Sequence, residues 1–353
     1  EFRLVTINFK TKNNMKLIKT QDAVGHVLCH DITQIIKGVT KDALFRKGHI
    51  VTEEDIPLLL SVGKEHLYVW ENDESMMHEN DAAMVLLDMC KNEHMSYGEI
   101  KEGKIELKSE IHGLLKVDRK ALFTVNSFGQ MMIATRHGNT VVNPGDKLAG
   151  MRIIPLVIEK EKMDKVRSLI TSPILEIKPF VLKKAAVITT GSEVYKGRIQ
   201  DTFTPVIQAK LAEFGCEMVY HAICDDDDKM VTEKINEALT QGVDIVLCTG
   251  GMSVDPDDRT PLAIKNTGAE IVTYGAPVLP GAMFLLSYYG EKKRPVIGLP
   301  GCVMYAKRTI FDLVLPRIVA GEILKKADID TLGEGGLCLN CPVCTFPNCG
   351  FGK

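Results

Sequence analysis

Apolar residues along this chain follow different spacings in different stretches, and each spacing predicts a different kind of element. From Lys183 to Glu322, short aliphatic runs at 185–190, 216–223, 243–249, 270–274 and 295–299 predict strands. The segments between them space apolar residues three and four apart and predict helices. Thr204-Pro205 supplies a helix start, Ile207, Leu211 and Phe214 share a face, and Gly215 stops that helix. Val231, Ile235, Ala238 and Leu239 mark a second, Thr260-Pro261 opens a third, and 307–320 before Gly321 is the last. Strands alternating with helices predict an α/β fold with a doubly wound, mostly parallel sheet over 180–324.

Upstream the texture differs. Residues 15–75 read as a smaller α/β unit, with a turn and strand at Phe45 to Val51, a helix carrying Ile56, Leu59 and Leu60 that ends at Gly63, and a strand at Leu67 to Trp70. Residues 76–170 begin with an amphipathic helix over 81–91 and continue as a β-rich linking region of short alternating runs. Strands are expected near 104–107, 113–117, 132–135, 140–142 and 152–158, then a charged helix over 159–169. Residues 1–14 precede Met15 and are expected to be a leader, and 325–353 form a cysteine-rich tail.

Composition narrows the function. With 353 residues, 45% hydrophobic and 25% charged, the chain can bury substantial cores. A net charge of −3 with no basic stripe argues against nucleic acid as partner. No apolar run approaches the roughly 18 residues of a membrane span, and the scattered cysteines form no disulfide framework, so a cytoplasmic location is expected.

The candidate chemistry sits at strand ends. The run 243–249 ends in Gly250-Gly251, then Ser253 and a tail holding Asp255, Asp257 and Asp258. Paired glycines let main-chain N–H groups approach an anion, Ser253 adds a hydroxyl, and the aspartates can hold hydrated Mg²⁺ against a phosphate. Ala185 to Thr190 ends likewise in Gly191, and Pro295 to Leu299 runs through Gly298 to Pro300 and Gly301. Glycine loops at three strand ends predict one ligand site at the carboxyl edge of the sheet.

The ordered set Thr-Gly-x-Glu (190–193), Gly-x-Ile-x-Asp (197–201), Asp-Asp (225–226), Gly-Gly-x-Ser (250–253) and Gly-Leu-Pro-Gly (298–301) resembles the molybdopterin-binding domain of MogA-type adenylyltransferases and MoeA-type molybdenumtransferases. Asp22 to Leu28 and the Gly48 turn resemble the opening of MoeA-type proteins. The resemblance implies that Thr190, Gly191 and Glu193 line a pterin phosphate site and that Gly250, Gly251 and Ser253 donate to the ligand. It further implies that Gly298, Pro300 and Gly301 form the last ligand loop, and that Asp225 and Asp258 act catalytically with Mg²⁺. The implied reaction inserts molybdate into adenylylated molybdopterin with release of AMP, and the implied assembly is a homo-oligomer. Ser192 stands where the family has Asp, Asp255 replaces a Gly, Cys302-Val303 replaces Asn-Pro, and Leu279 and Ala282 replace two lysines. Those losses bring in two alternatives: a non-catalytic carrier handing molybdopterin to a molybdoenzyme, and a CinA-like nucleotide-acting enzyme on the same fold.

The tail carries Cys338, Cys341, Cys344 and Cys349, spaced C-x2-C-x2-C-x4-C. Four thiolates this close predict a metal centre. The spacing resembles a ferredoxin-type [4Fe-4S] loop more than a zinc ribbon, with zinc the alternative.

Overall fold

The computed structural model describes residues 15–36, 40–70, 75–253 and 258–353. The expected leader at 1–14, and Asp255 and Asp257 of the glycine-loop tail, lie outside the described residues.

The fold is α/β. Its centre is a six-stranded sheet of β1 (Lys184–Thr190), β2 (Glu217–Cys224), β3 (Ile245–Thr249), β4 (Glu270–Tyr274), β5 (Leu285–Tyr289) and β6 (Arg294–Leu299), in the order β2-β1-β3-β6-β5-β4. β1 pairs in parallel with β2 and β3, and β3 with β6. Helices α1 (Phe203–Ala212), α2 (Asp228–Thr240), α3 (Thr260–Asn266) and α4 (Ile310–Val319) cover it. Ala185, Val187, Ile245 and Leu247 pack toward Ile207, Leu211 and Phe311 on one face, while Ala186, Ile188, Val246 and Cys248 pack toward Val231, Ile235 and Ile264 on the other. Burial on both faces explains why the central strands read as unbroken apolar runs.

Two expectations about this domain need correction. β5 was not anticipated, and it enters antiparallel between β6 and β4, so 270–274 is an edge strand rather than the next parallel one. A short turn, with Gly290 and Lys293 at positive φ, joins β5 to β6, and a connection that short permits only antiparallel pairing. The last helix starts at Ile310, not at 307. Thr309 and Asp312 form a capping box there, with the Thr309 N–H donating to Asp312 at 2.8 Å, so Lys307 and Arg308 remain in the preceding loop.

Beyond α4 come a short helix, Lys326–Asp330, and a tail that packs against the domain. Phe351 is buried in the α4-side core, with Cys338, Phe346 and Cys349 against its edge. A Cβ at Gly352 would lie 2.4 Å from the Leu313 side chain, which measures how closely the tail is applied.

Upstream, Met95–Tyr97, Lys104–Ser109, Lys147–Ile153 and Met131–Thr135 form a four-stranded antiparallel sheet. Thr140–Val142, Gly113–Val117 and Leu175–Pro179 form a three-stranded one. The N-terminal unit pairs Met15–Lys19 with His66–Trp70 and Ile32–Ile36 with Thr40–Phe45, beside the helix Asp55–Ser61. Among the described residues no helix is long and apolar enough to cross a membrane.

Candidate functional site

The carboxyl ends of β1, β3 and β6 lie side by side, which brings the three glycine loops to one edge of the sheet. The loop after β3 is built around glycine. Gly250 and Gly251 have φ of +84° and +56°. A Cβ on Gly250 would stand 2.3 Å from the Thr190 carbonyl oxygen, and one on Gly251 would stand 2.7 Å from the Thr260 hydroxyl.

Threonine hydroxyls hold that loop down. Thr190 Oγ1 donates to the Thr249 carbonyl at 3.2 Å and lies 3.3 Å from the Thr260 hydroxyl. Thr260 Oγ1 donates to the Gly250 carbonyl at 2.9 Å, and its N–H donates to the Gly251 carbonyl at 3.2 Å. With these carbonyls taken up, the N–H groups of Gly251 and Met252 donate to no acceptor among the described residues. The Thr249 hydroxyl is buried and likewise finds no partner among them.

A cavity of about 350 Å³ opens at this edge. Gly250, Gly251, Ser253 and Asp258 line it from the β3 loop, and Pro300 and Gly301 line it from the β6 loop. Ala282, Met283 and Cys302 complete the wall, so its described lining holds one carboxylate and no Lys or Arg. Asp258 accepts the Ser253 N–H at 2.8 Å, and the Tyr274 hydroxyl donates to the Met252 carbonyl at 3.1 Å. Burial, with the Asp258 charge adding to it, raises the Tyr274 pKa, so the hydroxyl keeps its donor proton.

The other residues expected at the site stand elsewhere. Thr190 is buried, and its hydroxyl serves the loop. Gly298 is needed for packing, since a Cβ there would meet the Met252 side chain at 2.5 Å. Gly191, at φ +142°, caps the short helix Ser192–Tyr195, which carries Glu193 exposed. Asp225 lies beside that helix and is not among the residues lining the cavity: it accepts the Ser192 hydroxyl and pairs with Lys196 at 3.4 Å. The Ser192 hydrogen bond is the main reason its carboxyl titrates below the ordinary value. Asp226 accepts the Ser192 N–H at 2.9 Å, which completes the anchor. Asp201 of the Gly-x-Ile-x-Asp motif caps α1, accepting from the N–H groups of Phe203 and Thr204. Burial pulls its pKa up, but the hydrogen bonds led by the Thr204 hydroxyl outweigh it and leave the carboxyl below its ordinary value.

Sequence reasoning missed Met252, Thr260 and Tyr274 as parts of the site. Thr260 was legible only as a helix start, and Tyr274 comes from the edge strand, whose placement depended on the unanticipated β5.

The four tail cysteines are free thiols, with Cys341 and Cys344 exposed. Among the described residues no three His, Cys, Asp or Glu side chains stand together as ligands for a metal ion.

Comparison with known proteins bears on two parts of the chain. Residues 186–320 match a family model described as a probable molybdopterin binding domain, and residues 17–71 match a domain of unknown function. A "CinA-like protein" of Mycobacterium avium (strain 104) is 33% identical over 93 residues, which cover 26% of this chain and 21% of that protein. The matched segment thus spans about a fifth of the length of that curated relative. Among solved structures, the tungsten cofactor synthesizing protein MoaB of Pyrococcus furiosus is 25% identical at a TM-score of 0.34, covering 42% of this chain and 99% of its own. A molybdenum cofactor biosynthesis protein, also from Pyrococcus furiosus, is 14% identical at a TM-score of 0.26, covering 90% of this chain and 65% of its own.

Proposed function

We propose that the 180–324 domain binds molybdopterin, or its adenylylated form, by a phosphate group, and that the protein serves molybdenum cofactor biosynthesis or maturation. The observation that carries this reading is the cavity at the sheet edge, where a glycine loop held by Thr190 and Thr260 offers main-chain donors beside a single carboxylate. The family match over 186–320 supports a pterin as the ligand class.

The electrostatics decide how a phosphate is held. Among the described residues no lysine or arginine lines the cavity to neutralise it, and an anion beside Asp258 would be repelled. The main-chain N–H groups of Gly251 and Met252 would offset part of that repulsion, and a divalent cation held by Asp258 would offset more. Mg²⁺ binds through one or two carboxylates, substrate phosphates and retained waters, and Asp258 fits that role. When bound, the cation would supply charge neutralisation. The protein's own part is to hold the phosphate at the glycine loop and to orient Asp258 through the Ser253 N–H.

Ala282 in the cavity wall, and Leu279 outside it, stand where the resembled family has lysines, which favours holding a pterin over capturing molybdate, because an oxyanion gains roughly 1.5–3 kcal/mol from each charged donor. A carrier that hands cofactor to a molybdoenzyme fits this wall. A second reading, a CinA-like nucleotide-acting enzyme, is favoured by the match to the mycobacterial CinA-like protein.

The test is titration of the full chain with molybdopterin and with adenylylated molybdopterin, with and without Mg²⁺, beside Asp258→Ala, followed by assay for AMP on adding molybdate. Mg²⁺-dependent binding that Asp258→Ala weakens, without AMP release, is the expected result. AMP release lost in the mutant would instead establish a molybdenumtransferase. Indifference to pterins with turnover of a dinucleotide would sink the proposal in favour of the CinA-like reading.

A further inference from the structure

The four tail cysteines surround a second cavity. Cys338, Cys341, Cys344 and Cys349 all line a space of about 220 Å³ between the tail and the loop before α4. A single zinc ion needs its thiolates about 2.3 Å from one point, so they must crowd together. Among the described residues no three His, Cys, Asp or Glu side chains are arranged to hold a single metal ion, while all four cysteines line one space. A polynuclear cluster has a wider ligand shell than a single ion, because each cysteine meets a different iron. The spacing C-x2-C-x2-C-x4-C puts four ligands within reach of such a centre.

The charge around the hollow agrees. An iron-sulfur cluster carrying four thiolates is anionic, and two cations are already in place. Lys307 Nζ donates to the carbonyls of Cys341 at 3.0 Å and Pro342 at 2.8 Å, which fixes an ammonium over the peptide between the second and third cysteines. Arg308 lines the same hollow, paired with Asp312 at 2.8 Å, and its guanidinium lies 4.8 Å from the centre of the Phe346 ring. Phe346 and Phe351 meet edge to face at 6.2 Å and give the hollow an apolar wall. Both cations lie in the loop that ends at the Thr309 capping box, where α4 starts.

We infer that this hollow is a binding site for a [4Fe-4S] cluster, with Cys338, Cys341, Cys344 and Cys349 as its ligands and Lys307 and Arg308 as its compensating charges. Each thiol gives up its proton as its sulfur binds iron, and no electron is transferred in binding. The site is tied to the pterin cavity by one loop: the Leu279 N–H donates to the Gly336 carbonyl and the Cys338 N–H to the Leu279 carbonyl, both at 2.8 Å. Pro280 lines the cysteine hollow, and Ala282 and Met283 line the other cavity. The cluster assignment is independent of which ligand that other cavity takes.

The test is metal and acid-labile sulfide analysis of the full chain purified without oxygen from iron-replete cells, with electron paramagnetic resonance after dithionite reduction. About four irons and four sulfides per chain, with the signal of a reduced cubane, are expected. Zinc without sulfide, or no metal at all, would overturn the inference. Cys344→Ser, at an exposed position, should keep the far-ultraviolet circular dichroism of the wild type and lose iron and sulfide roughly tenfold or more. Full retention of both would equally overturn it. Lys307→Met, which leaves every thiol in place, should keep the cluster and lower its reduction potential, because a neighbouring cation favours the more negative reduced state. An unchanged potential would remove Lys307 from the site.

Discussion

Replacing Gly250 by alanine separates loop geometry from ligand contact, because its cost can be worked from the structure. At φ +84° an L-residue loses about 1–2 kcal/mol relative to the right-handed region. The added methyl would stand 2.3 Å from the Thr190 carbonyl oxygen, 2.7 Å from its hydroxyl and 3.1 Å from its carbonyl carbon. Two of these atoms are main chain of β1 and cannot rotate aside, so overpacking adds about 1–3 kcal/mol. The total is about 2–5 kcal/mol, spent either in opening β3 from β1 or in displacing the loop. Hydrogen exchange read at the β3 amides, 245–249, measures this locally and does not need the whole chain to unfold in one step. At about 1.4 kcal/mol per tenfold, exchange should quicken by roughly thirtyfold or more. Gly301→Ala is the control: it lines the same cavity, has no positive φ, and its added methyl meets nothing within 4 Å. It should change β3 exchange by less than about 0.5 kcal/mol, while its methyl intrudes only on ligand space. A Gly250→Ala chain whose β3 amides exchange within threefold of the wild type would refute the steric reasoning.

Three further outcomes follow from side-chain chemistry. Asp312→Ala removes the α4 capping box and leaves the buried Lys210 ammonium without its carboxylate, so denaturant unfolding of the domain should show a loss of about 3–5 kcal/mol. Ser192→Ala removes the largest influence holding the Asp225 carboxyl down, so carbonyl-detected NMR titration should find that carboxyl protonating at a higher pH than in the wild type. Burial, opposed by Arg152, pushes the Glu79 carboxyl up to about 7 from its ordinary 4.5. The folded chain therefore holds a proton that the unfolded chain has released between those values, and stability falls as pH rises through that window. Glu79→Gln should remove that slope and stabilise the protein at pH 8 by at most about 3.5 kcal/mol, at about 1.4 kcal/mol for each pH unit of displacement. A stability profile for Glu79→Gln parallel to the wild type would count against the buried carboxyl.

Features that depend on neighbours along the chain were legible before any tertiary contact was known. The apolar runs of β1, β3 and β6 are nearly unbroken because both faces are covered, and that made the parallel core legible. Glycines at 250, 251 and 301 stood out because a strand ending in glycine is a local signal. Tertiary structure decided what depends on pairing across the fold. It inserted Leu285–Tyr289 between β6 and β4, because a short turn allows only antiparallel return, and that carried Tyr274 to the edge where its hydroxyl meets the glycine loop. It gave Thr190 and Gly298 supporting roles in the loop, since a hydroxyl or a missing Cβ acquires its role only from the atom it faces. It also held Lys307 and Arg308 out of α4 and beside the cysteines, a placement set by the Thr309–Asp312 cap and by a tail whose Cys341 carbonyl returns to Lys307 from 34 residues further along the chain. Periodicity and spacing report which face of an element is buried. They carry no information on which other element covers it, and the composition of this site rests on that second fact.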